Sequence, residues 1–318
     1  MTSHTLNRLT LLASLLVFLA AAYVLYRNLA HLRLADVLEH LLSLPWPRVA
    51  AALLFSAASY LVLTAYDYLA LRYVGRSLPF RQVALTSFIA FAISQNVGAA
   101  LISGGSVRYR IYSGLGLGAL EIGEIVVFCA VTFALGVTTV GGLMLSLDPG
   151  DVALVLATPA SSVRVAGAAL LAVGLVYLAA PLVWHRPFVL GRYRLRLPSF
   201  ASALAQIAVA SVDLALSGAV VYLLLPVDAH VTYRTFLGAY VLAAAASILS
   251  HVPGGIGVFE LVIVVMLPDV PKAASMAALV GFRCLYFLLP LALALLSLSL
   301  YEIARQKREL AERFRRRE

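Results

Sequence analysis

Ser94-Gln95-Asn96-Val97-Gly98, running on to Ser103-Gly104-Gly105-Ser106-Val107-Arg108-Tyr109-Arg110, breaks an otherwise apolar sequence with glycine and charge. About half a chain later Ser250-His251-Val252-Pro253-Gly254-Gly255-Ile256-Gly257-Val258-Phe259-Glu260 does the same, with a proline added. The flanking stretches read as membrane helices. Non-helical backbone at bilayer depth persists only where protein or a water-filled cavity satisfies its amides. A matched pair of such interruptions in two halves points to a transport site near the midplane.

Composition supports that frame. Of 318 residues, 62% are hydrophobic and 12% charged. Soluble domains carry about 25% charged residues, so a polytopic membrane protein with no room for a sizeable soluble domain is expected. The net charge of +9 would suit nucleic acid. The basic residues instead stand in short clusters beside apolar runs, which is an orientation signal, and no nucleic-acid-reading module is present. Nucleic acid is therefore not expected as a partner. Cys129 and Cys284 fall in apolar runs and read as packing residues rather than a disulfide or metal pair. The histidines His4, His31, His40, His185, His230 and His251 show no ligand spacing, so no metal or cofactor is expected.

Runs long enough to cross a bilayer lie at 9–26, 49–74, 120–147, 163–184, 200–225 and 273–301. The first follows Arg8 and contains Ala20-Ala21-Ala22, but it exceeds the usual signal-peptide core of about 7 to 15 residues and reads as an uncleaved span. Within 31–43, Leu34, Val37, Leu38, Leu41 and Leu42 recur at helical spacing, predicting an interfacial helix that ends at Pro45-Trp46-Pro47.

Charge then sets the topology. Arg72, Arg76 and Arg81 form one positive loop, and Arg186, Arg192, Arg194 and Arg196 another. With the basic tail at 304–318 they should face the cytoplasm, as should both termini. The segment 148–162 has two aspartates and no Lys or Arg, and should face outward. Full crossing by 81–103 would contradict that bias. A hairpin over 82–107 that returns to the cytoplasmic side, and one over 235–267 that returns outside, puts every loop where its charge belongs. The expected architecture is all-α: about six full spans plus two re-entrant hairpins in one domain, 1–318. Pseudo-repeats of about 1–150 and 160–303 would have inverted topology.

Charged groups within spans cost roughly 2.5 to 3.5 kcal/mol each on the insertion scale and are functional candidates by default. Asp67 and Asp213 lie in the second and fifth spans, Glu124 and Arg283 in the spans after the hairpins, and Arg108, Arg110 and Glu260 beside the breaks. Together they could line a polar cavity; alternatively they form ion pairs that lock helices. The candidate headgroup-binding set is Asp67, Asn96, Arg108, Tyr109, Arg110, Glu124, His251, Glu260 and Arg283. Arg108 and Arg110 would hold a phosphate, Asp67, Glu124 and Glu260 would face a cationic portion or relay protons, and Arg283 would pair with one of the acids or with the lipid. Gly98, Gly104, Gly105, Pro253, Gly254, Gly255 and Gly257 are the candidate break and hinge residues, through positive φ, close approach or a missing donor; tight helix packing is the other reading of such glycines. Ser103 or Ser106 with His251 would suit a lipid-handling hydrolase, but no nucleophile-elbow sequence is present, and an enzyme is not expected.

Tyr66-Asp67 with Leu69-Ala70-Leu71-Arg72, the run 103–110 with Tyr112-Ser113, and the run 251–260 together resemble the lysylphosphatidylglycerol synthetase transmembrane-region family. These are flippase-like membrane domains found in the multiple peptide resistance factor and in stand-alone bacterial inner-membrane proteins. The resemblance implies translocation of a phospholipid between leaflets, with Arg108, Arg110, Glu260 and Asp67 in the matched motifs. It also implies a homodimer in the bacterial inner membrane. The chain ends after its basic tail, so synthesis of a lysyl lipid is not expected of it. With no ATP-binding motif, movement should be gradient-driven or passive. A non-transporting partner or scaffold of a lipid-synthesising enzyme is the alternative role.

Overall fold

Long apolar helices close their own backbone hydrogen bonds, and that requirement builds nearly everything seen here. A computed structural model describes residues 34–97, 100–184, 188–190, 193–195, 197–226 and 230–315. The expected span at 9–26 and Gly98 lie outside the described residues. Helix α1 (Leu34–Leu42) is the amphipathic segment predicted from its spacing; Leu41 lies against Gly281, while Leu38 and Leu42 are exposed. Then follow α2 (Trp46–Tyr73), α3 (Phe80–Val97), α4 (Ala100–Tyr112), α5 (Ala119–Leu147), the short α6 (Gly150–Val155) and α7 (Ala160–Val183). After a small antiparallel hairpin, β1 (Phe188–Leu190) with β2 (Tyr193–Leu195), come α8 (Phe200–Leu224), α9 (Tyr233–Ser250), α10 (Val258–Met266) and α11 (Lys272–Phe282). A π-helical turn, Arg283–Leu288, leads into α12 (Leu289–Arg315).

Among the described residues six helical stretches are long and apolar enough to cross a membrane: α2, α5, α7, α8, α9 and 272–303. The five expected spans that fall within the described residues recur within a few residues. Helix α9, assigned to a hairpin on charge, also qualifies by length and composition. Into the basic tail the backbone of α12 continues to Arg315; Ala, Glu, Gln, Lys, Arg and Leu are all strong helix formers.

One ion pair and two hydrogen bonds fix which ends lie together. Just beyond α2, Arg76 Nε donates to Glu121 Oε1 in the first turn of α5 at 2.7 Å. The chain between them, α3 and α4, therefore leaves one end of the molecule and returns to it. At the far end of α5, Arg234 donates to the Leu147 carbonyl at 2.7 Å and Thr235 Oγ1 to Asp148 Oδ2 at 3.1 Å. Met266, which ends α10, lines the same surface cavity as Asp148 and Arg234. The pair α9 and α10 thus leaves from and returns to the end opposite α3 and α4. The turns of the two pairs meet inside, where a Cβ on Gly254 would lie 3.5 Å from the Asn96 carbonyl oxygen.

Small residues let the long helices close on one another, the usual means of association where helices share an apolar environment. A Cβ at Gly136 would sit 2.6 Å from that of Ala210, so α5 and α8 touch backbone to side chain. Where α5 crosses α7, a Cβ at Gly142 would be 2.9 Å from the Gly167 carbonyl oxygen, and one at Gly167 2.8 Å from that of Gly142.

Candidate functional site

Pro290 shapes the centre of the molecule. It has no N–H, so a carbonyl behind it, Tyr286 at α-helical or Leu285 at π-helical spacing, lacks that backbone donor. Side chains donate to both carbonyls: Tyr60 OH reaches that of Tyr286 at 3.2 Å and Ser56 Oγ that of Leu285 at 3.2 Å. Asn96 Nδ2 donates to the Phe287 carbonyl at 3.2 Å as well as to Ala92 in its own helix at 2.8 Å. Asn96, a predicted site residue, thereby ties the turn of the first helix pair to the π segment.

Arg283 opens that segment and clamps the second turn. Its Nε and NH2 donate to Glu260 Oε1 at 2.9 and 2.7 Å, while NH1 donates to the Gly254 carbonyl at 2.7 Å. Glu260 Oε2 accepts from the Gly257 N–H at 2.7 Å, closing the first turn of α10 in the manner of a helix cap. The connection between α9 and α10 is left-handed at His251, Gly254, Gly255 and Gly257. Gly255 has no room for a side chain, since a Cβ would meet that of Ser247 at 2.7 Å. Three glycines of the predicted break therefore stand in it, and Pro253 opens its short 3₁₀ turn.

The first pair is built differently. Arg108 on α4 grips Asp67 of α2 with both arms of the guanidinium, Nε to Oδ1 at 2.8 Å and NH2 to Oδ2 at 2.7 Å. Tyr112 OH adds a donor to Oδ1 at 3.0 Å, and the Phe91 ring lies 4.7 Å from the Arg108 Cζ. Both charges are sealed, at 3% and 0% exposure. Gly104 and Gly105, expected at the break, sit within α4 instead. They pack rather than bend the chain: a Cβ on Gly104 would touch that of Ser94 on α3 at 3.2 Å and Arg108 NH1 at 3.1 Å.

The expected polar cavity is thus closed pairwise in this conformation. A carboxylate and a guanidinium removed from water neutralise each other when they can meet, and here Asp67 meets Arg108 and Glu260 meets Arg283. The rest of the predicted set does not converge on them. Arg110, two residues from Arg108, turns outward to Glu302 on α12 with Nε–Oε1 at 2.8 Å. Tyr109 is exposed, and half-buried Glu124 has no ion pair among the described residues. His251 is exposed and its Nδ1 lies 2.9 Å from the Leu249 carbonyl; Ser106 donates to the Ile102 carbonyl. Each is bonded to its own helix, not to the other. Cys129 is buried beside Arg108, whereas Cys284, read as a packing residue, is exposed.

Sequence reasoning missed the hydroxyl groups. Ser56, Ser59, Tyr60 and Tyr286 form the polar seam between α2 and the π segment, and Gln206, fully buried, donates to Thr132 while accepting from Tyr177. The available signal was Pro290, which removes the backbone donor of a carbonyl one turn behind it.

These features define a class: a multi-pass helical membrane protein with two helix pairs, each held by a carboxylate–arginine contact. The chain belongs to the family described as lysylphosphatidylglycerol synthase TM region, whose model matches residues 11–294. It is 35% identical over 294 residues to the uncharacterized protein slr0712 of Synechocystis sp., covering 92% of this chain and 91% of that one. The inner membrane protein YbhN of Escherichia coli is 34% identical over 252 residues, 78% of each chain. A phosphatidylglycerol lysyltransferase of Staphylococcus aureus is 26% identical over 303 residues, 93% of this chain but 34% of that enzyme.

Proposed function

We propose that this protein binds a phospholipid and moves it between leaflets of the bacterial inner membrane, and that it is a transporter rather than an enzyme. The observation that carries the reading is the tip-to-tip meeting of two helix pairs that open at opposite ends, Gly254 against Asn96. The return helices α4 and α10 have 13 and 9 residues. At 1.5 Å per residue they extend about 20 and 14 Å, short of a hydrocarbon core of about 30 Å, which supports two re-entrant hairpins and an inverted repeat. Sites between such broken helices hold the polar parts of substrates near the midplane.

A phospholipid as cargo is supported by the name of the Staphylococcus relative, a phosphatidylglycerol lysyltransferase. In this reading Arg108 exchanges Asp67 for the lipid phosphate when the first pair opens, and Arg283 does so with Glu260 when the second opens. The closed state described above is the resting one, with the headgroup path shut from both sides. A cytoplasmic location of both termini follows from the basic clusters.

A second reading, a non-transporting partner of a lipid-synthesising enzyme, is favoured by the sealing of Arg108 behind Asp67. Purified protein in liposomes with a fluorescent phospholipid separates the two, with and without a pH gradient. Transport requires faster leaflet exchange than in empty liposomes and loss of that gain in Arg108→Ala. Native protein that leaves exchange at the empty-liposome rate under both conditions removes the proposal and favours the partner role.

A further inference from the structure

Asp213, in the middle of α8, is the third carboxyl buried in the centre, at 3% exposure, and it differs from the other two. Asp67 and Glu260 each hold an arginine, whereas Asp213 takes part in none of the ion pairs among the described residues. Its partners are hydroxyls. Ser59 Oγ of α2 stands 2.6 Å from Oδ1, Tyr66 OH of the same helix donates to Oδ2 at 3.3 Å, and Ser59 Oγ lies 2.8 Å from Tyr286 OH. The groups whose charge or dipole faces this carboxyl are Tyr60 and Tyr66 on α2, Tyr286 on the π segment, and Tyr240 on α9, which carry no charge near neutral pH. The arginines of the two buried or half-buried ion pairs are committed elsewhere, Arg108 to Asp67 and Arg283 to Glu260.

A carboxylate at this depth with hydroxyl donors alone is costly, and a buried charge is retained only when it is paired. We propose that Asp213 is a binding site for one proton. The Ser59–Asp213 and Ser59–Tyr286 oxygens sit at direct hydrogen-bond separations, the contact a shared proton makes; oxygens that share a metal ion are held apart by it. Hydroxyl protons rotate to suit their partners, so the chain can run in either direction. With the proton on Oδ1, Asp213 donates to Ser59 and Ser59 to Tyr286. With the proton gone, Tyr286 donates to Ser59 and Ser59 to the carboxylate. The balance is one proton taken from water and one returned, with no other bond made or broken.

The position gives the proton a consequence. Asp213 links α8 to α2, across the two halves of the sequence, and through Ser59 reaches Tyr286, three residues from Arg283. Charging Asp213 would bring an unpaired anion within reach of the segment that holds the second turn closed. The inference stands whether or not lipid crosses; if lipid does cross, it names an ion that a gradient can use.

Infrared difference spectroscopy of the purified chain in nanodiscs, titrated from acid to alkali, tests it. The native protein should show the carbonyl stretch of a protonated, water-shielded carboxyl, bleached on deprotonation and missing in Asp213→Asn. Ser59→Ala, which keeps the acid but removes its closest partner, should move that band to higher frequency. The band should be the same in sodium and in choline salts. Native and Asp213→Asn spectra that coincide overturn the proposal, as does a band that Ser59→Ala leaves in place. A band that appears only when sodium is withdrawn overturns it in favour of sodium. Should Asp213→Asn fail to fold, the Ser59→Ala shift and the salt comparison still decide.

Discussion

Arg108 and Arg283 do the same job for their helix pairs by different means. Arg108 is wholly enclosed, both arms on one carboxylate of another helix, with Tyr112 and Phe91 completing the seal. Arg283 has 20% of its side chain exposed and divides its donors between Glu260 and the carbonyl of Gly254, so it holds a turn as much as a charge. Burial makes the first contact brittle, since neither partner tolerates being left alone. Shared donors make the second forgiving, because losing one acceptor leaves another. If the pairs open in turn, the second has the lower barrier to rearrangement.

Removing Arg108 should therefore produce the largest effect. Arg108→Ala leaves the Asp67 carboxylate buried with only Tyr112 as donor, and a buried pair broken from one side costs about 3–5 kcal/mol. Thermal unfolding of the protein in detergent should show a large fall in midpoint. Asp67→Leu with Arg108→Met should recover most of it, because an apolar pair of similar volume is often neutral or stabilising. A double variant as weak as the single one would mean that the pair's specific geometry, not charge neutrality, holds α4 to α2.

Asp67 and Arg108 stand 41 residues apart, and both were singled out from the sequence because charge within an apolar run is costly wherever it sits. Their pairing was open in the sequence, since nothing local brings α2 and α4 together. The positions of the described spans are legible from run length alone, and the amphipathic α1 from its spacing. In the sequence Gly104 and Gly105 suggest a break, yet paired glycines in membrane helices serve packing equally well. What distinguished the second stretch was Pro253 with a third glycine, Gly257, placed to cap α10. The Ser59, Tyr60 and Tyr286 seam had no local pattern, because each is one polar side chain in an apolar helix and their meeting depends on the crossing of α2 with the π segment.

Glu260→Gln probes the forgiving pair. The amide oxygen can still accept from Gly257 or Arg283, and Arg283 keeps the Gly254 carbonyl. The expected loss is about 1–3 kcal/mol, that of one weakened buried hydrogen-bonded contact. In the same unfolding measurement the midpoint should fall less than for Arg108→Ala. An equal or greater fall would reverse the ranking and make the second turn the brittle one.

The smallest effects distinguish the two glycine pairs. Gly255 has φ +61° and its Cβ position lies 2.7 Å from that of Ser247. An alanine there carries about 1–2 kcal/mol of left-handed backbone cost before any displacement of Ser247 is counted. Gly105 lies in a helix, its nearest neighbour a Val126 methyl 3.5 Å from the Cβ position. An alanine there fits, and the gain in helix propensity is about 0.5–1 kcal/mol. Gly105→Ala should leave the unfolding midpoint unchanged or raise it, while Gly255→Ala lowers it. A clear fall in Gly105→Ala would mean that α4 bends there in a state other than the one described, which would return Gly105 to the role its sequence first suggested.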